Sequence, residues 1–247
     1  MPPELTKNQI DDIRDIRDLC AEFNADFVII GAIAYKLYFP DEDRFTADID
    51  AVIALDSDEF VEFARHLEEF GWKRDPNLEH RWRSKRGSYF DLLPAGPQLR
   101  RAKQIIWPKS QFVMNLVGFD HVFARSVSHS IAEDLSIRTI TPVVLALTKI
   151  VSFTDDPYRR AKDLTDIRSL LARYEEDSDR IFDEVVFEAR LSDIGLANAF
   201  LLGLDLAQIC TAEEMDIVQK FARRFGDEED QFALQVAALE KGLTHRR

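Results

Sequence analysis

Cysteine is nearly absent: the 247 residues hold two, Cys20 and Cys210, far apart and each within a helix-like apolar pattern. That argues against a disulfide framework and predicts two buried free thiols. None of the five histidines has the spacing of a metal-ligand pair, so an imidazole-based metal site is not expected. No apolar run approaches the roughly 20 residues that a membrane helix needs. The N-terminus MPPELTKNQIDDIRD lacks the charged-then-apolar layout of a signal peptide. A cytoplasmic location without a membrane partner is the expectation. Internal repeats and low-complexity segments are also missing.

What is present is an ordinary globular composition, 46% hydrophobic and 31% charged, long enough for one large domain or two small ones with real cores. The net charge of −13 argues against a surface that binds nucleic acid everywhere, because a polyanion is repelled over most approaches. The charge is unevenly spread, however. Residues 175–247 hold 8 Lys/Arg against 17 Asp/Glu, whereas residues 73–109 hold 10 Lys/Arg against Asp75, Glu79 and Asp91.

Periodicity divides the chain further. Residues 8–23 place Ile10, Ile13, Ile16, Leu19, Cys20 and Phe23 at helical spacing. Phe27 to Ile30 is a short apolar strand that turns at Gly31 into a helix from Ala32 to Tyr38. PDEDRFTA (40–47) is a loop, DIDAVIAL (48–55) a second strand, and SDEFVEFARHLEEFG (57–71) a helix with Ser57 as its N-cap. Segments around Trp72–Arg74 and His80–Arg83 suggest a hairpin, and SYFDLLP (88–94) is another strand. Residues 98–123 read as mixed helix and loop. LSIRTI (135–140) is a strand, and Thr141-Pro142 starts a helix through VVLALTKIVSF. Asp155-Asp156-Pro157 breaks it, a second helix runs from about Tyr158 to Tyr174, and after the acidic linker EEDSD (175–179) the remainder is helical. An α/β (α+β) organisation follows, with a sheet-bearing domain over residues 1–140 and a helical one over 141–247.

Asp48 and Asp50 are one residue apart on a predicted strand, so both side chains project from one face. Such a pair can share divalent metal ions, although an Asp-x-Asp at a strand start is also often a solvated edge. Asp91, between Phe90 and Leu92, is costly to bury without a partner, and a metal would be one. Three carboxylates on adjacent strands suit a two-Mg²⁺ site for phosphoryl displacement.

The segment VIIGAIAYKLYFPDEDRFTADIDAVI, with YFDLLP and LALTKIVSFTDDPYRRAKDLTDIRSLL further on, resembles the polymerase-β-like nucleotidyltransferases of the AbiEii and MNT types found in toxin–antitoxin pairs. The resemblance spans about residues 27–173 in the family's order. It implies a polymerase-β-like fold with a mixed sheet and a helical C-terminal domain, and transfer of NMP from a nucleoside triphosphate such as ATP. Mg²⁺, or Mn²⁺ in its place, would be held by Asp48, Asp50 and Asp91. Asp48 and Asp50 would bridge two metals; Asp91 would ligate one and help deprotonate the acceptor hydroxyl. Nucleotide would be bound by Gly31, Ala32, Arg44, Thr46, Lys149, Asp163 and Asp166, with Arg160 and Lys162 beside the last two. Ala32 stands where the best-characterised members have a serine, so the triphosphate loses a hydroxyl contact; backbone N–H groups at that helix start can still bind phosphate.

Several of these residues have plainer readings. Gly31 fits a simple strand-to-helix turn, Arg44 and Thr46 a solvated loop, and Lys149 a solvated helix charge. Asp163 and Asp166 suit salt bridging within and between helices. The basic stretch 73–109 is either a polyphosphate or RNA footprint or a solvated hairpin, and Trp82, Tyr89, Phe90 and Trp107 within it are either stacking surfaces or core. The resemblance implies RNA, such as a tRNA 3′ end, as acceptor and a cognate antitoxin as partner. A protein hydroxyl or a small molecule is the alternative acceptor. A non-catalytic nucleotide- or partner-binding module that keeps the fold is the rival class.

Overall fold

The computed structural model describes residues 5–40, 48–225 and 230–245. The chain divides into two compact units, Met1–Thr141 and Pro142–Arg247.

The first unit is built on a seven-stranded mixed sheet. Its strands are β1 (Phe27–Ile29), β2 (Asp48–Ile53), β3 (Lys73–Arg74), β4 (Arg81–Arg83), β5 (Tyr89–Pro94), β8 (Ser126–Ala132) and β9 (Leu135–Ile140). The order is β3-β4-β5-β2-β1-β9-β8, and β6 (Gln104–Ile106) and β7 (Val113–Asn115) form a separate hairpin. β1 is antiparallel to β2 and parallel to β9, while β2 and β5 run parallel. β1 is wholly buried, as is the β2 stretch from Ala51 to Ile53; continuous apolar runs of this kind are what strands covered on both faces require.

Helices α1 (Lys7–Glu22), α2 (Gly31–Tyr38), α3 (Ser57–Glu69), α4 (Pro97–Ala102) and α5 (Phe119–Ala124) complete this unit. α1 opens on a reciprocal cap: Thr6 Oγ1 accepts from Gln9 N at 3.2 Å, and Thr6 N donates to Gln9 Oε1 at 2.9 Å. The N-cap of α3 is Asp56 rather than Ser57. Asp56 Oδ1 also accepts from Gln98 N and Leu99 N at 2.9 and 3.0 Å, so one carboxylate serves the start of α4 as well. The turn between β4 and β5 is tied to α1. Asp12, fully buried, accepts from Ser84 Oγ at 2.6 Å and Arg86 Nη1 at 2.8 Å, and Arg86 Nη1 also reaches Asp15 Oδ2 at 2.6 Å.

The second unit is helical: α6 (Pro142–Asp155), α7 (Ala161–Arg173), α8 (Glu184–Glu188), α9 (Ala197–Ile209), α10 (Ala212–Phe225) and α11 (Gln231–Thr244), with two short 3₁₀ turns. α9 is apolar around most of its circumference and is the centre of the unit. It packs against α11 so closely that a Cβ on Gly203 would lie 3.0 Å from the Leu239 carbonyl carbon. The acidic stretch after α7 is bound into this unit. Asn198 Oδ1 accepts from Glu175 N at 2.7 Å, and Arg180 bridges Glu175 and Asp205. Both cysteines are free thiols, Cys20 buried and Cys210 partly so, and burial pushes each up to about 12. No helix among the described residues is long and apolar enough to cross a membrane.

Candidate active site

The parallel pairing of β2 with β5 sets Asp50 opposite Asp91 and Asp48 opposite Tyr89. Residues paired in register project to the same face, so the three carboxylates share one side of the sheet, with adjacent strands about 4.8 Å apart. Their alternates, Ile49 and Phe90, are fully buried on the opposite side. The acidic face is thus fixed by the pleat and by its apolar backing.

Gly31 lies at the edge of this face. The Ile30 N–H donates to the Asp50 carbonyl at 2.9 Å, and Gly31 then turns with φ +64° into α2. A Cβ at Gly31 would fall 2.8 Å from Asp50 Cγ, inside the carboxylate's van der Waals envelope. Glycine is therefore required twice, for a left-handed backbone and for the approach of Asp50. No side chain caps the start of α2, and Ala32 is buried. Arg44 and Thr46 lie outside the described residues.

A residue that the sequence did not mark as part of the site is central to its geometry. β4 runs antiparallel to β5 and sets Arg81 opposite Asp91. The guanidinium grips Asp91 with both forks, Nε to Oδ1 at 2.7 Å and Nη2 to Oδ2 at 2.8 Å, and Nη2 also donates to Asp48 Oδ2 at 2.6 Å. Hydrogen bonding to Asp91 and the charges of Asp91, Asp48 and Asp50 raise its pKa above the usual arginine value despite partial burial. It carries a fixed positive charge. His80 Nε2 lies 3.9 Å from Asp91 Oδ2.

Among the described residues no three His, Cys, Asp or Glu side chains converge as a metal-binding group; Arg81 bridges Asp48 and Asp91 instead. The donor set nevertheless suits a hard divalent cation, being carboxylate oxygen on one face. The guanidinium is itself a stand-in cation on those oxygens.

The second unit brings together another group. Lys149 on α6 donates to Asp163 Oδ1 on α7 at 2.6 Å and lies 2.9 Å from Asp166 Oδ2, with both aspartates almost fully buried. Burial alone would lower the Lys149 pKa, but the charges and hydrogen bonds of Asp163 and Asp166 outweigh it and raise it. Arg160 Nη1 is 4.0 Å from Asp163 Oδ2.

The basic stretch 73–109 resolves into two populations. Arg81, Arg86 and Arg100 are ion-paired, whereas Lys73 and Arg83 are exposed. Trp82, Phe90 and Trp107 are core residues; of the four aromatics, Tyr89 is exposed, at 41%.

A mixed sheet bearing in-register carboxylates beside a glycine turn into a short helix is the architecture of a nucleotidyltransferase. The chain belongs to the AbiEii nucleotidyl transferase toxin family of type IV toxin–antitoxin systems, whose model matches residues 14–239. It is an enzyme of that class. Among solved structures it is similar to an antigenic nucleotidyltransferase-like protein from Paracoccidioides brasiliensis, at 17% identity and TM-score 0.44 over 68% of this chain and 77% of that one. It is also similar to the antibiotic-resistance factor ANT(2'')-Ia, at 14% identity and TM-score 0.39 over 62% and 76% of the two chains. A third likeness is a Thermotoga maritima CCA-adding enzyme complexed with tRNA, at 16% identity and TM-score 0.32. That match covers 96% of this chain and 52%, about half, of the other. No curated protein matches the chain.

Proposed function

We propose that the chain moves NMP from a nucleoside triphosphate, ATP among the candidates, to an RNA acceptor such as a tRNA 3′ end, with pyrophosphate as the leaving group. In this reading Asp48, Asp50 and Asp91 hold Mg²⁺, with Mn²⁺ able to replace it. The observation that carries it is the register of β2 and β5, which aligns Asp50 with Asp91 and keeps Asp48 on the same face. When bound, the divalent ion supplies charge neutralisation at the transferring phosphoryl group and favours the ionised acceptor oxygen. Asp48 and Asp50 orient the donor, and Asp91 accepts the proton of the acceptor hydroxyl. The uncapped N–H groups at the start of α2 donate to the β- and γ-phosphates, an approach that Gly31 leaves open. Ala32 contributes no hydroxyl, so these phosphate contacts come from the backbone. Lys149, Asp163 and Asp166 act as the ionic lock of α6 on α7, a use that engages the lysine with two buried carboxylates.

An RNA acceptor is supported by one transverse row of the sheet. Lys73 pairs with Arg83, Arg83 with Tyr89 and Tyr89 with Asp48. The row leads two exposed cations and an exposed ring from Asp48 to the sheet edge, a span of about 14 Å at about 4.8 Å per strand. Cations and a stacking surface at that spacing suit a single strand. The setting we infer is the toxin of a pair with a cognate antitoxin, acting in the cytoplasm. Incubation with each α-labelled nucleoside triphosphate and total RNA, in parallel with Asp48→Ala, tests the proposal. Label is expected in RNA and absent with Asp48→Ala. Label carried instead by a protein or a small molecule would overturn the acceptor, and label transfer that survives the substitution would overturn the mechanism.

A further inference from the structure

The guanidinium of Arg81 sits on the oxygens that the proposed function gives to a divalent ion. Three features make this more than a surface ion pair. The contact to Asp91 is a two-pronged fork, with a third hydrogen bond to Asp48. All three side chains are half-buried or better, at 28%, 13% and 33% exposure for Arg81, Asp91 and Asp48. The backbone pairing of Arg81 with Asp91 also fixes where the arginine starts, so little chain entropy is spent in reaching the carboxylates.

An arginine cannot be neutralised by pH in the working range; it can only be displaced. A divalent ion on the same oxygens repels the guanidinium at contact distance, so the two compete for Asp91 and Asp48 Oδ2. A displaced guanidinium needs a new anionic partner, and a nucleoside triphosphate offers one with matching fork geometry. We propose that Arg81 is a resident cation that holds Asp48 and Asp91 until nucleotide arrives, coupling metal binding to nucleotide binding at this site. It is a positioning residue in the empty enzyme and a phosphate ligand in the loaded one. Coupling of this kind gives positive linkage: each ligand tightens the other because both draw on the release of the same arginine. The inference rests on the metal-binding reading of Asp48, Asp50 and Asp91.

The test titrates Mn²⁺ against wild type, Arg81→Gln and Arg81→Gln/Asp48→Asn, following the electron paramagnetic resonance signal of free Mn²⁺. Each titration is run with and without an ATP analogue bridged by methylene between the α and β phosphorus atoms. Without nucleotide, Arg81→Gln is expected to bind Mn²⁺ about ten- to hundredfold more tightly than wild type. The analogue is expected to raise the wild-type affinity strongly and that of Arg81→Gln much less. Arg81→Lys keeps the charge but lacks the fork, and an affinity between the two is expected. It serves as the deciding variant if Arg81→Gln does not fold, and an affinity equal to wild type would then overturn the proposal. Equal Mn²⁺ affinity in wild type and Arg81→Gln, lost in the double variant, overturns the role of Arg81 and leaves the metal site standing. Absence of Mn²⁺ binding in every form overturns both.

Discussion

Replacing Lys149 by Met separates a structural lysine from a phosphate-binding one. The substitution keeps length and apolar bulk but removes the ammonium from between Asp163 and Asp166, whose side chains are 6% and 8% exposed; the half-exposed Arg160, 4.0 Å from Asp163 Oδ2, stays in place. Breaking a buried ion pair by removing one partner typically costs about 3–5 kcal/mol. The helical unit, residues 142–247, is small enough that each kcal/mol moves its melting temperature by about 4 °C, so a fall of about 12–20 °C is expected. Lys149→Met/Asp163→Asn/Asp166→Asn removes all three charges and should recover most of that loss. The pH dependence has a definite sign. The folded pKa of Lys149 is raised above its ordinary 10.5, so its stabilisation is complete below pH 10.5 and is lost as pH climbs through the folded value. Thermal melts of the three proteins from pH 7 to 11 are the assay. The stability gap between wild type and Lys149→Met should be constant to about pH 10 and close above it. A Lys149→Met protein within about 1 kcal/mol of wild type at pH 7 would refute the lock and return Lys149 to the nucleotide.

Three further outcomes follow from single contacts. Gly31→Ala places a Cβ on the Asp50 carboxylate at a backbone φ of +64°; a loss of about 1–2 kcal/mol from the backbone alone is expected in urea melts, with transfer activity reduced further than stability. Arg86→Ala leaves the fully buried Asp12 with Ser84 as its remaining side-chain donor among the described residues and should cost about 3 kcal/mol in the same melts; loss of less than about 1 kcal/mol would show that the clamp on α1 is dispensable. Both thiols are pushed up to about 12, so native protein at pH 8 should react with a thiol reagent far more slowly than urea-unfolded protein.

Much of this architecture was legible where pattern and chemistry coincided. β2 and β5 each join an acidic residue to an apolar run, and α6 starts at its proline, so these elements were readable from the residues. The edge strand β8, SVSHSIA, is hard to read because its alternation sets serines against Val127, His129 and Ile131, a weak apolar face of which Ile131 is buried. The β6–β7 hairpin was unreadable for another reason: three residues per strand give no period. The N-cap of α3 was placed one residue late because Ser57 and Asp56 are both good caps, and the tie to Gln98 and Leu99 that favours Asp56 is non-local. Arg81 had a local signal. Ser84 and Ser88 close a turn through Lys85, Arg86 and Gly87, and counting outward from it sets Arg81 against Asp91. Pairing residues 80–83 only with the preceding segment concealed that partner. Composition alone does not divide the basic stretch: Arg81, Arg86 and Arg100 neutralise specific aspartates of this chain, while Lys73 and Arg83 are exposed.

Pyrophosphate release, measured with each nucleoside triphosphate in the presence of Mg²⁺ and RNA, tests the chemistry at this sheet face most directly. Wild type should release pyrophosphate with at least one nucleotide. Asp48→Ala, Asp50→Ala and Asp91→Ala should each reduce the rate by about a thousandfold or more, while melting as folded proteins. A rate within a few-fold of wild type in any of the three would contradict a shared carboxylate site.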